Sequence, residues 1–272
     1  MSRRTKMTRP SMAALASAAL LAGPVAAACS PGPTYEDWAA TDGASGRINL
    51  DEVQKAFKDS EGTSDFEKRV NEIYEGDGIV LIRAQQDGET LTLEGWEDLD
   101  GSKAIEDASD DILFSIVRDH DRQHELRGHG SNGYYRSGFG GGDFLFTYMM
   151  ISALSPRGYY YSTPVNRYGT MQNNRTNYRS SAGYRSQVSK NTSYFSKQKS
   201  FQGSKYTNAT KSTARNSYLN SQKTSGSFKS SGTGVRSSWG SSSRTSASRS
   251  SGGFRGGGGG ARIVGFVRPS LR

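Results

Sequence analysis

The side chains best suited to chemistry in this 272-residue chain sit between Glu97 and Asp111, where seven carboxylates accompany one lysine. Asp98, Asp100, Ser102, Ile105 and Glu106 stand at offsets 1, 3, 5, 8 and 9 of a calcium-loop spacing. Asp98, Asp100, Ser102 and Glu106 are therefore the candidate calcium ligands. Two substitutions argue for a solvated acidic loop instead. Lys103 stands where such a loop wants glycine, and Ser109 stands where a bidentate glutamate belongs. His120, His124 and His129 cluster at one strand, but no cysteine or close carboxylate completes a zinc spacing. They are expected to be surface imidazoles. Serine is too frequent for a nucleophile to stand out. The glycines from Gly138 to Gly142 run into Asp143, whose charge repels phosphate. No catalytic residue and no cofactor is expected.

One further reactive side chain is the only cysteine, Cys29. Arg3, Arg4, Lys6 and Arg9 precede an uncharged, Ala- and Leu-rich run from Ser11 to Val25, and Ala26-Ala27-Ala28 leads into Cys29. A charged start, a short apolar stretch and a small-residue cleavage site describe a secretory leader over residues 1–28, not a membrane span. The segment Val25-Ala26-Ala27-Ala28-Cys29 resembles the lipobox of bacterial lipoprotein precursors, with Ala26 where that family usually has Leu. The resemblance covers the leader alone. It implies acylation of Cys29, cleavage just before it and a lipid-anchored envelope protein. Ser30, where an Asp would signal inner-membrane retention, implies the outer membrane. The alternative is plain cleavage after Ala28, which gives a periplasmic or secreted protein. Ser2-Arg3-Arg4 looks like a twin-arginine start, but Lys6 interrupts the apolar position it needs.

Charge is segregated along the chain. All 26 Asp and Glu lie between Glu36 and Asp143; residues 29–154 hold 11 Lys and Arg, and residues 155–272 hold 20 with no acid, giving −15 and +20. A cationic half of this kind is expected to meet an anionic partner. Arg157, Arg167, Arg175, Arg179, Arg185 and Arg255, interleaved with Tyr, Gly and Ser, are the candidate polyanion-binding residues. The leader directs them toward lipopolysaccharide, acidic polysaccharide or extracellular DNA. A secreted nucleic-acid binder, or a chain self-associating through Arg–Tyr contacts, is the second reading. A single cysteine allows no internal disulfide.

The elements that must position these groups follow from periodicity. Residues 29–46, rich in Pro, Gly, Ser and Thr, read as a flexible tether. Asn49 with Glu52, and Ser64 with Glu67, read as helix starts, followed by apolar stripes at Leu50, Val53, Phe57 and at Phe66, Val70, Ile73. A hairpin is predicted from Ile79 to Trp96 around Asp87-Gly88, then strands from Ile112 to Val117 and from Gln123 to Arg127. The expected fold is α+β: two helices packed on a small four-stranded antiparallel meander over 47–130. Residues 131–154 read as a Gly- and aromatic-rich loop with a short apolar segment, which either packs back or dips into a membrane. Residues 155–272 read as a disordered basic tail, because apolar residues there are sparse against the entropy of ordering.

Overall fold

The computed structural model describes residues 34–228, apart from 120, 122, 142–143 and 147–158. The leader, Cys29, His120, Arg157 and Arg255 lie outside the described residues. The fold is mixed helix and sheet. Six antiparallel strands run in the order β5-β4-β3-β2-β1-β6: β1 Ile79–Asp87, β2 Thr90–Asp98, β3 Asp111–Arg118, β4 His124–Gly128, β5 Arg136–Phe139 and β6 Tyr159–Ser162. The expected four-stranded meander with two helices is corrected to this larger sheet, in which the predicted strand segments fall within β1 to β4. Asp87 pairs with Thr90 around the Asp-Gly turn, and Gly88 takes a φ of 58° that suits glycine. The two outer strands lengthen the expected sheet. β5 returns beside β4, and β6 pairs with the far edge of β1 through Arg83–Ser162 and Ala84–Tyr161.

Two of the helices are the predicted ones. Helix α2 (Leu50–Asp59) begins at Asn49, whose side chain accepts from the Glu52 amide, and α3 (Thr63–Ile73) follows from Gly62 rather than from Ser64. Their stripes bury Leu50, Val53, Phe57, Phe66, Val70 and Ile73 against Val80, Ile82, Leu93, Phe114, Ile116 and Leu126 of the sheet. Each such side chain contributes about 1.5–3 kcal/mol by leaving water. Leu145 and Phe146 join the same core, so the described part of the apolar segment packs back on the domain. No helix among the described residues is long and apolar enough to cross a membrane.

The remaining helices correct the expected order. The supposed tether contains α1 (Tyr35–Ala39), closed by a capping box between Thr34 and Asp37, and its Trp38 is fully buried. The supposed disordered tail is, over residues 159–228, a strand and four helices: α4 (Tyr168–Arg179), α5 (Ala182–Gln202), α6 (Ser204–Thr207) and α7 (Thr213–Ser225). Helix α5 buries Tyr184, Gln187, Val188, Asn191, Tyr194, Phe195 and Gln198. These positions recur every three to four residues, as one helix face requires. Five of these seven are amides or tyrosines, so a search for apolar stripes passes over the face. Helix α7 closes the structure beside α1. Tyr35 Oη donates to the Leu219 carbonyl at 2.7 Å, and Trp38, Ala44 and Leu219 form a second core with Tyr35, Tyr218 and Phe228 packed against it.

Candidate functional site

The acidic and basic halves of the chain meet in one buried cluster. A register shift at Gly95/Trp96 sets Glu97 of β2 opposite Asp111 of β3. At Gly95 a Cβ would fall 2.3 Å from the Phe114 ring, so only glycine fits there. Both carboxylates are buried, at 0% and 2% exposure, and like charges facing each other across a ladder repel. Arg215 of α7, itself 1% exposed, joins them: Nη2 pairs with Glu97 Oε2 and Nε donates to Asp111 Oδ2 at 2.8 Å. Tyr74 Oη also donates to Glu97, and the Gly78 amide donates to Glu97 Oε1 at 2.7 Å. Burial pushes the Tyr74 hydroxyl well above its ordinary range, while Glu97 and Asp111 hold the Arg215 guanidinium protonated. Gly46 passes directly over the guanidinium. Its φ of 76° and a would-be Cβ contact of 2.6 Å to Arg215 both require glycine.

Other basic residues of the second half serve the first half in the same way. Arg179 donates to the Gly76 carbonyl at 2.9 Å, and Arg175 donates to the carbonyls of Asp77, at 2.8 Å, and Gly78. These carbonyls follow the C-terminal end of α3, where unpaired acceptors and the helix dipole favour cations. Burial, then the neighbouring Arg179, lowers Arg175 to about 10. Asn191 completes the seam with four hydrogen bonds. It donates to the Ile73 carbonyl at 2.9 Å and to Glu75 at 2.8 Å, and it accepts from Asn49 at 3.1 Å and Gln187 at 2.8 Å. Every polar atom of its amide is thereby satisfied, which is the condition for burying it without penalty. At β6, Glu67 accepts from Tyr161 and Thr163, both at 2.6 Å, and pairs with Arg167 at 2.7 Å. Burial raises its carboxyl; the Thr163, Tyr161 and Arg167 contacts oppose that rise. Of the expected polyanion contacts, Arg167, Arg175 and Arg179 are therefore engaged within the chain, and Arg185 is exposed. Arg215 was not singled out by its sequence context, which has no acid near it.

Not all the cations are consumed. Arg185, Lys197, Lys199 and Lys205 on α5 and α6 are exposed, and among the described residues none of them forms an ion pair. Beside Lys199 a cleft of about 760 Å³ opens between residues 39–47 and helices α5–α7. Lys199 and Lys211 line it, with Thr192, Asn208 and Asn216 supplying polar groups. At one wall Arg47 is committed elsewhere. It bonds Asp42 at 3.1 Å and the Tyr206 carbonyl at 2.8 Å, and it lies 4.0 Å from the centre of the Tyr206 ring. Tyr206 Oη closes the group by donating to Asp42 at 2.6 Å. Lys211 is half-buried, and burial, then Arg47 and Arg215, lower its amine below the ordinary range.

The acidic loop assembles a trio in place of the four residues its spacing suggests. Carboxylate oxygens of Asp98, Asp100 and Asp110 lie within 4.8 Å of one another. Ser102 and Glu106 face other partners: Ser102 Oγ donates to the Ala104 carbonyl at 3.2 Å, and Glu106 accepts from Ser109 at 3.2 Å. Asp98 accepts from the amides of Gly101 and Lys103, and Asp110 accepts from those of Leu99 and Glu106, so the carboxylates tie the loop's own backbone. Burial raises Asp98 and carries Asp110 to about 6. Lys103 occupies the glycine position with a φ of 69°. Calcium wants six to eight oxygens, and the trio supplies three side chains. Titration calorimetry with calcium is expected to show no binding tighter than millimolar; micromolar binding lost in Asp98→Ala would contradict this.

The histidines differ from expectation. His124 is buried at 1% exposure rather than on the surface, stacked on Phe139 and Phe146 with ring centres at 5.2 and 5.7 Å. Its place on the inward face of β4, opposite Phe57, makes it a core residue. His129 Nε2 lies 2.8 Å from Ser115 Oγ, and burial lowers its imidazole below the usual value. That is nucleophile–base spacing, but Ser115 is 5% exposed, and among the described residues no carboxylate is hydrogen-bonded to the imidazole. The chain matches no protein-family model, no curated protein and no solved structure.

Proposed function

We propose that this chain is a non-enzymatic, exported envelope protein, anchored through acylated Cys29, whose folded domain presents a cationic face to anionic polymers of the envelope. The observation that carries the reading is the division of labour among its cations. Arg167, Arg175, Arg179 and Arg215 are used up against the acidic half, while Arg185, Lys197, Lys199 and Lys205 project from α5 and α6 with no acid in that half to neutralise them. Exposed positive charge of this kind attracts polyanions by counterion release, with little need for a shaped site.

Two measurements test this together. Intact-mass analysis of protein extracted from membranes is expected to show acyl groups on Cys29, and Cys29→Ala is expected to leave the membrane fraction or stay unprocessed. Retention on heparin should weaken steeply with salt, by about 10³ or more in affinity between 50 and 200 mM if six to ten anionic groups are contacted. Unchanged partition of Cys29→Ala, or salt-insensitive binding, refutes the corresponding half of the proposal.

A further inference from the structure

We infer that the cleft between residues 39–47 and helices α5–α7 is a binding site for a phosphorylated sugar, with Lys199 and Lys211 holding the phosphate. The inference rests on the reading that the chain meets anionic polymer, and narrows it from a charged face to a shaped site. At about 760 Å³ the cleft falls within the roughly 300–1,000 Å³ of ordinary ligand pockets.

Charge selects an anion. Lys211 stands half-buried beside Arg47 and Arg215, and among the described residues no carboxylate pairs with it. Asp42, the one acid among the described lining residues, is paired with Arg47 and accepts from Tyr206. Arg47 and Arg215 have acids of their own, Asp42 for the first and Glu97 and Asp111 for the second, so among the described residues Lys199 and Lys211 are the lining cations that a bound anion would neutralise.

The cations left to hold it are lysines. The planar, two-pronged guanidinium suits carboxylate and phosphate alike, and among the described residues the one arginine lining this cleft, Arg47, has both terminal nitrogens already engaged. Two lysines act as movable point charges, a recurrent way of holding phosphate. Asn208, Asn216 and Thr192 then offer the mixed donors and acceptors that sugar hydroxyls need. Phosphorylated sugars occur both in envelope polymers and in lipid headgroups, and the site reads the chemistry they share.

The test is calorimetric titration of the whole processed chain with glucose 1-phosphate, glucose and gluconate. Saturable binding of glucose 1-phosphate alone is expected. Lys211→Gln should weaken it roughly tenfold or more, the scale of losing one charge-assisted contact. Lys199→Gln, on an exposed position that does not threaten folding, should weaken it in the same direction. Competition by phosphatidylglycerol vesicles would assign the ligand to a lipid headgroup, and its absence to a polymer; both keep the phosphate site. Equal binding of gluconate, no saturable binding, or undiminished affinity in both variants overturns it. Heparin retention of the same variants separates the two readings: retention kept while glucose 1-phosphate fails to bind removes the cleft and leaves the cationic face, whereas loss of retention in the unaltered chain removes the face itself.

Discussion

A chain ended at residue 158 will not unfold cooperatively, whereas one ended at Phe228 will. The cut removes β6 and α4–α7, and with them three kinds of partner. Arg215 and Arg167 vanish, stranding Glu97, Asp111 and Glu67, all 2% exposed or less. Breaking a buried ion pair from one side costs about 3–5 kcal/mol, and two such losses approach the whole 5–15 kcal/mol of an ordinary domain. The carbonyls of Ile73, Gly76, Asp77 and Gly78 lose their donors as well. Tyr194 and Phe195 leave the main core, and β1 becomes an open edge. Thermal unfolding followed by near- and far-ultraviolet circular dichroism checks this. A sigmoidal melt within a few degrees of the longer chain would show that α4–α7 are ornamental.

Arg215→Ala will be the most damaging single substitution, with a loss of about 3–5 kcal/mol. At roughly 2–4 °C per kcal/mol for a domain of this size, the melting temperature should fall by about 6–20 °C. The cost comes less from the lost contacts than from two buried carboxylates left facing each other across β2 and β3. Arg215→Lys should not rescue it, because one ammonium cannot follow the fork that reaches Asp111 through Nε and Glu97 through Nη2. The double variant Arg215→Met with Glu97→Gln should lose less than the sum of its parts, since it removes charge from both sides. A loss below 1 kcal/mol for Arg215→Ala, or strict additivity in the cycle, would show that the cluster is not electrostatically coupled.

The elements legible in the sequence were those that obey apolar periodicity. Leu50, Val53 and Phe57 after Asn49, and the alternation around Asp87-Gly88, mark the start of α2 and the β1–β2 hairpin. Helix α5 was not legible because its buried face uses Gln187, Asn191 and Gln198, side chains counted as polar wherever they stand. What makes them burial-competent is a set of partners about 115 to 140 residues upstream, such as Asn49, Arg69 and Ile73, which no local window contains. The same holds for the site. The segregation of charge into two halves was visible, but it reads equally as a free cationic tail and as a chain that folds back on itself. Only the register that sets Glu97 against Asp111 shows that the acidic half requires a cation from the other. The spacing of the acidic loop did point to Asp98 and Asp100, but Asp110 joined them through the turn, not through the calcium pattern.

The hydrogen bond from Tyr35 to Leu219 spans 184 residues, and the pair of Arg215 with Glu97 spans 118. A ribosome adds about 5–20 residues per second. Roughly 6–24 s therefore separate the synthesis of Glu97 from that of the arginine that neutralises it. Throughout that interval the emerging meander has its acids solvated, one sheet edge open and no closing helix. Folding that depends on such distant contacts is slow even after the chain is complete, because loop closure precedes its reward. The molecule thus carries a built-in delay: its N-terminal half remains unfinished until nearly all of the described domain has been made.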